Sequence, residues 1–141
     1  MRRLLLIPVA LCFALSLQAQ SVVGKWKTYD DDTGKARSVV EIYKQDEKVY
    51  GRIVELIDPP RPNPICVACK GDEKDQPVVG LVIINGLEED GDEYNSGRIL
   101  DPESGKRYKC YITLDDEDTL KVRGYIGFSA IGRTQYWQRV K

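Results

Sequence analysis

The sequence predicts an all-β fold, a small antiparallel up-and-down β-barrel of about eight strands. Two observations carry that reading. Short runs rich in Val, Ile, Tyr and Thr recur along the chain, separated by turn chemistry of the Asp, Gly and Pro kind: "DDDTGK", "KQDEK", "LEEDGDE", "DPESGK" and "LDDED". No segment carries a sustained apolar repeat of 3.6 residues, so no amphipathic helix competes for the core.

The runs fall at about 22–29, 37–44, 49–57, 79–86, 94–100, 106–114, 119–127 and 134–140. The first three are joined by short acidic turns. The fourth is ambiguous, because Val78 to Ile84 also suits a short helical turn. Before the sixth run, Pro102 presets the backbone of "DPESGK", and Gly105 can take the left-handed conformation that closes it. Alternation then assigns faces. Tyr108, Cys110, Ile112 and Leu114 fall on one side, with Lys109, Tyr111 and Thr113 on the other. Leu120, Val122, Gly124 and Ile126 share a side, while Lys121, Arg123 and Tyr125 face away. These two runs, joined by "DDED", form a hairpin. Tyr125, Arg123, Tyr136 and Trp137 suggest an aromatic and arginine strand face, readable as a partner surface or as ordinary cross-strand pairs.

The chain opens "MRRLLLIPVALCFALSLQAQ", with two arginines, an apolar run and a small residue at Ala19. That is the layout of a cleavable signal peptide over residues 1–19, and it predicts a periplasmic or secreted protein. Residues 20–141 then form a single barrel domain without a membrane span. Losing Arg2 and Arg3 takes the formal net charge from −1 to −3, so no basic footprint for nucleic acid is expected.

The chain has no histidine, which excludes Ser-His-Asp and Cys-His catalysis and imidazole metal ligands. Ser129 in "GFSAI" has no base and no nucleophile elbow. The acidic clusters Asp30–Asp32, Glu88–Glu93 and Asp115–Asp118 coincide with turns and lack the ligand spacing of a calcium loop. No catalytic residue, metal site or cofactor is assigned.

Cys66 and Cys69 form a C-x-x-C inside the one long irregular loop, residues 58–77. Redox chemistry would want the first cysteine at a helix N-terminus, but prolines precede the pair and "KGDEKDQP" follows. A closed zinc site would want four ligands, and the mature chain offers three cysteines and no histidine. A disulfide between Cys66 and Cys69 suits an exported protein, with Cys110 a buried free thiol on an apolar strand face. Pairing of either loop cysteine with Cys110 stays open.

"GKW" at Gly24 to Trp26 is similar to the opening of lipocalins and other calycins. In that resemblance the tryptophan plugs one barrel end and an arginine of the last strand packs across its ring. Arg133 and Arg139 are the candidates, and Trp26 with Arg133 is the expected pair. The order "ELIDPP", "CVACKG", "QPVVGLVIINGL", "GRILDPESGKRYKCYITL" and "LKVRGYIGFSAIGRTQYWQRV" resembles the bacterial family called domain of unknown function 2147, from about Gly24 to Val140. The resemblance implies a compact exported β-barrel and no particular activity. The expected function is a binding module for a small apolar or amphipathic molecule held at the barrel mouth. The alternatives are an interaction protein of the cell envelope and, behind it, a thiol-redox protein using Cys66 and Cys69.

Overall fold

The computed structural model describes residues 21–141; the signal-peptide reading over residues 1–19 lies outside the described residues. Among the described residues, eight strands close in sequence order into one antiparallel barrel. They are β1 (Gly24–Tyr29), β2 (Ala36–Gln45), β3 (Lys48–Leu56), β4 (Val82–Asp90), β5 (Glu93–Leu100), β6 (Arg107–Asp116), β7 (Thr119–Tyr125) and β8 (Gly132–Arg139). A 3-10 turn at Gly71–Glu73 sits in the long β3–β4 connection. Among the described residues no helix is long and apolar enough to cross a membrane.

Up-and-down topology puts alternate connections at opposite ends. One end carries the short turns, such as Asp46–Glu47, where both residues take positive φ (50° and 67°). That backbone matches the twist of a two-residue hairpin. The other end carries the β1–β2, β3–β4, β5–β6 and β7–β8 connections. Two of these share one build. In "DDDTGK" the Asp30 N–H donates to Lys35 O (2.8 Å) and Gly34 N–H to Asp30 O (2.9 Å). In "DPESGK" the Asp101 N–H donates to Lys106 O (2.9 Å) and Gly105 N–H to Asp101 O (2.8 Å). Backbone N–H donors of Thr33 and Asp32 hold the Asp30 carboxyl below its ordinary pKa.

The alternation read from the sequence holds in β6 and β7. Cys110 and Ile112 pair with Gly124 and Val122, and Leu114 with Leu120. All face the interior. The core gathers Trp26, Ile42, Leu87, Ile112, Leu120 and Trp137, with Val40 paired to Trp26 and Val122 to Ile112. Glycine sets how closely these meet. At Gly51 a Cβ would stand 3.2 Å from both Ile84 and Val40, and at Gly97 it would stand 2.3 Å from Asn85 O.

The fourth run differs from expectation. It begins at Val82 and continues through "LEED" to Asp90, because Val78 and Val79 belong to a loop turned by Gly80 (φ 103°). Gly86 (φ 68°) bends the strand inside its length. Trp137 also differs. It lies 2% exposed in the core, paired across to Leu120, while its neighbour Tyr136 faces solvent.

Candidate functional site

One end of the barrel is shut by Trp26. Its indole N–H donates to Val22 O (2.9 Å), and the ring is fully buried. The arginine across it is Arg139, whose guanidinium carbon stands 4.3 Å from the ring centroid. Arg139 also donates to Glu117 O (2.9 Å), Ser21 O (2.7 Å) and Val23 O (3.3 Å), tying the β6–β7 turn to the segment before β1. The expected Trp26–Arg133 pair is therefore corrected to Trp26–Arg139. Register is the reason. β8 joins β1 through Trp26–Arg139 and Lys27–Gln138, which leaves Arg133 six residues up the strand at the opposite end.

That opposite end is the candidate site. The inward positions change character along the barrel axis. Trp26, Ile42, Leu87, Ile112 and Leu120 are fully buried, whereas Leu56, Ile99, Tyr108, Gly124 and Gln135 are only half-buried. Gly124 measures the space there. The three atoms nearest to a Cβ at that position are Ile99 Cγ2 at 3.4 Å, two strands away on β5, and Tyr108 Cβ at 3.6 Å and Lys109 O at 4.0 Å on the adjacent β6. Burial thus falls from the Trp26 end to the opposite end, a half-buried cup.

Polar groups line one side of the cup. Trp137 donates its indole N–H to Gln135 Oε1 (3.1 Å), and Gln135 Nε2 donates to Asp31 Oδ2 (3.1 Å). Arg133, with 77% of its side chain exposed, reaches the same Asp31 oxygen at 3.3 Å. Thr28 and Ser38 share a buried hydroxyl hydrogen bond of 2.6 Å. With β1 and β8 paired over two residues only, Asp31 acts as a side-chain latch over the upper seam. At the same end, the β7–β8 connection "IGFSAI" exposes Ile126, Phe128 and Ile131, and Arg123 fixes its backbone by donating to Ser129 O (2.8 Å).

Cys66 and Cys69 are bonded to each other, and both are almost fully buried. A thiol-redox site needs an exposed sulfur, which this pair does not present. The ring instead braces the β3–β4 loop, which closes on itself through Cys66 N–H to Gln76 O (2.8 Å) and Val78 N–H to Pro64 O (2.9 Å). It then seats on the "DPESGK" turn. The Cys66 sulfur stands 3.4 Å from Pro102 O, Arg107 pairs with Glu73, and a Cβ on Gly105 would fall 1.9 Å from Ala68 O. Cys110 is a free thiol in the barrel interior, and burial pushes its pKa up to about 12. Sequence reasoning missed Asp31 and Gln135, which carry no motif.

A closed eight-stranded up-and-down barrel with one end plugged by a tryptophan–arginine stack and the other less buried defines a lipocalin-like fold. The chain belongs to the family described as uncharacterized protein conserved in bacteria, DUF2147, whose model matches residues 24–139. No curated protein matches the chain. Among solved structures it is similar to protein HP1028 from the human pathogen Helicobacter pylori, described as belonging to the lipocalin family. The TM-score is 0.77 at 17% identity, with 87% of this chain and 85% of that chain covered. That likeness concerns the fold.

Proposed function

We propose that this protein is an exported binding module that holds a small apolar or amphipathic molecule in the cup at the open end of its barrel. The observation that carries the reading is the fall in burial along the barrel: Leu56, Ile99, Tyr108, Gly124 and Gln135 face inward yet are only half-buried, whereas the inward residues at the Trp26 end are fully buried. An apolar group there would bury surface against Leu56, Ile99 and Tyr108, at roughly 25 cal/mol per Å² removed from water. A polar head would meet Arg133 and Gln135 at the rim. Because the lower interior is filled by Trp26, Ile84, Ile112 and Trp137, the ligand is shallow and short. Export is supported by the opening residues 1–19 and by the braced cysteine pair, which suits an oxidising compartment.

The test is titration with 1-anilinonaphthalene-8-sulfonate, an apolar dye with an anionic head, against wild type, Gly124→Leu and Arg133→Gln. Gly124 has an ordinary φ, so a leucine there fills the cup without backbone strain. Saturable fluorescence enhancement lost in Gly124→Leu and weakened in Arg133→Gln supports the reading. Equal binding to all three proteins contradicts it.

A second reading, an interaction protein of the envelope, draws on the exposed Ile126, Phe128 and Ile131 in one arginine-held loop. A photoreactive residue at position 128, in intact cells, distinguishes the two: capture of one specific protein favours the second reading.

A further inference from the structure

The outer wall of β5, β6 and β7 carries a charge pattern that the cup does not use. Register places Arg98 directly opposite Lys109, and Lys109 opposite Tyr125. Like charges facing each other across two strands destabilise a sheet unless something neutralises them. Among the described residues, neither Arg98 nor Lys109 has a carboxylate within 4.0 Å, although eight other cationic side chains do. The next rows add Arg123, bonded only to neutral oxygens, and Lys121, which stands 5.6 Å from the Tyr111 ring centroid. A chain with more acidic than basic residues has gathered four cations on one wall.

The wall is also shaped. A cleft of about 590 Å³ opens over it, lined by Arg98, Lys109, Tyr111, Tyr125, Asn95 and Ser129 among others. The Tyr111 and Tyr125 rings stand 6.2 Å apart and tilted by 52°, so they offer two separate ring faces and no parallel slot. At the floor, β5 bulges between Tyr94 and Gly97, and Ser96 is held at φ 64°, a strained backbone for a residue other than glycine. Asp90 and Glu93 close the far end, each accepting a hydrogen bond from Asn95 Nδ2 (2.9 and 2.7 Å).

We infer that this outer cleft binds an acidic saccharide, with the Arg98–Lys109 pair receiving its carboxylate and the Tyr111 and Tyr125 rings supporting sugar rings. The cation pair demands an anion. The amide and hydroxyl lining suits a hydroxyl-rich molecule, and tilted rings suit puckered sugars better than stacked flat bases. The inference stands apart from the cup.

The experiment is a two-dimensional amide NMR titration of the full mature chain with an oligogalacturonate, with a neutral maltooligosaccharide of equal length as control. The expected result is a set of shifts confined to Arg98, Lys109, Tyr111, Tyr125 and Ser129, weakening as salt rises and absent with the neutral sugar. Lys109→Gln is expected to weaken binding by about tenfold or more while leaving the unfolding midpoint at low salt unchanged or higher. Several outcomes overturn the inference. These are equal binding of the neutral sugar, shifts located elsewhere, no binding at millimolar sugar, tighter binding of a single-stranded oligonucleotide to the same face, or a lowered midpoint in Lys109→Gln.

Discussion

Replacing Arg139 by methionine removes the guanidinium while keeping much of the side chain's apolar length. The cost follows from what the group touches. Two charge-assisted hydrogen bonds, to Glu117 O and Ser21 O, are well made, and the third, to Val23 O, is long at 3.3 Å. With about one-fifth of the side chain exposed, the two good bonds are worth about 1 kcal/mol each after solvent screening. The stack on Trp26 at 4.3 Å adds about 1 kcal/mol. The sum is about 3 kcal/mol, which for a domain of this size lowers the thermal midpoint by about 10–15 °C. The assay is thermal unfolding followed by near-ultraviolet circular dichroism, with urea titration for the free energy. Arg133→Met serves as the control, because its exposed ion pair with Asp31 should cost under about 1 kcal/mol. Combining Arg139→Met with Trp26→Phe should give less than the sum of the two losses. A midpoint shift below about 3 °C in Arg139→Met, or an equal shift in Arg133→Met, would refute the assignment.

Gly34 and Gly105 close turns of one build with nearly equal φ (71° and 70°), yet a Cβ meets nothing at Gly34 and meets Ala68 O at Gly105. Gly34→Ala should therefore cost about 1 kcal/mol, and Gly105→Ala clearly more, with faster proteolysis within residues 58–77 read by mass spectrometry. Cys110, buried with its pKa raised to about 12, should resist alkylation at pH 8 in the native protein and react fully in denaturant. The sign for stability follows from that rise. The neutral thiol's contribution is complete below the ordinary thiol range and is lost as pH climbs towards about 12, so wild type should lose more stability there than Cys110→Ala.

Much of this barrel was legible because its signals are local. The "DPESGK" turn, the inward set Tyr108, Cys110, Ile112 and Leu114, and the β6–β7 hairpin all follow from turn chemistry and a two-residue period. What failed depended on long-range placement. The sequence supplies two arginines near its end, but only the closure of β8 against β1 decides that Arg139 lies beside Trp26. Tyr136 and Trp137 are adjacent aromatics, so one had to face in and one out, and "TQYWQRV" does not say which. "LEED" reads as a turn because its side chains are charged. In β4 Leu87 is buried in the core, and Glu88, Glu89 and Asp90 lie exposed beyond a bend at Gly86, where charge costs little. The cup itself was invisible. It rests on inward residues such as Gly124 being only half-buried and on Asp31 reaching Gln135 across an unpaired seam, and neither residue differs in type from an ordinary strand glycine or turn aspartate.

The account's central claim, a small molecule held in the cup, is tested most directly by native mass spectrometry of the protein purified without reductant from the cells that make it. The account predicts a chain two hydrogens light carrying a discrete added mass, and the loss of that mass in Gly124→Leu. A bare wild-type chain, or an added mass that survives in Gly124→Leu, would contradict it.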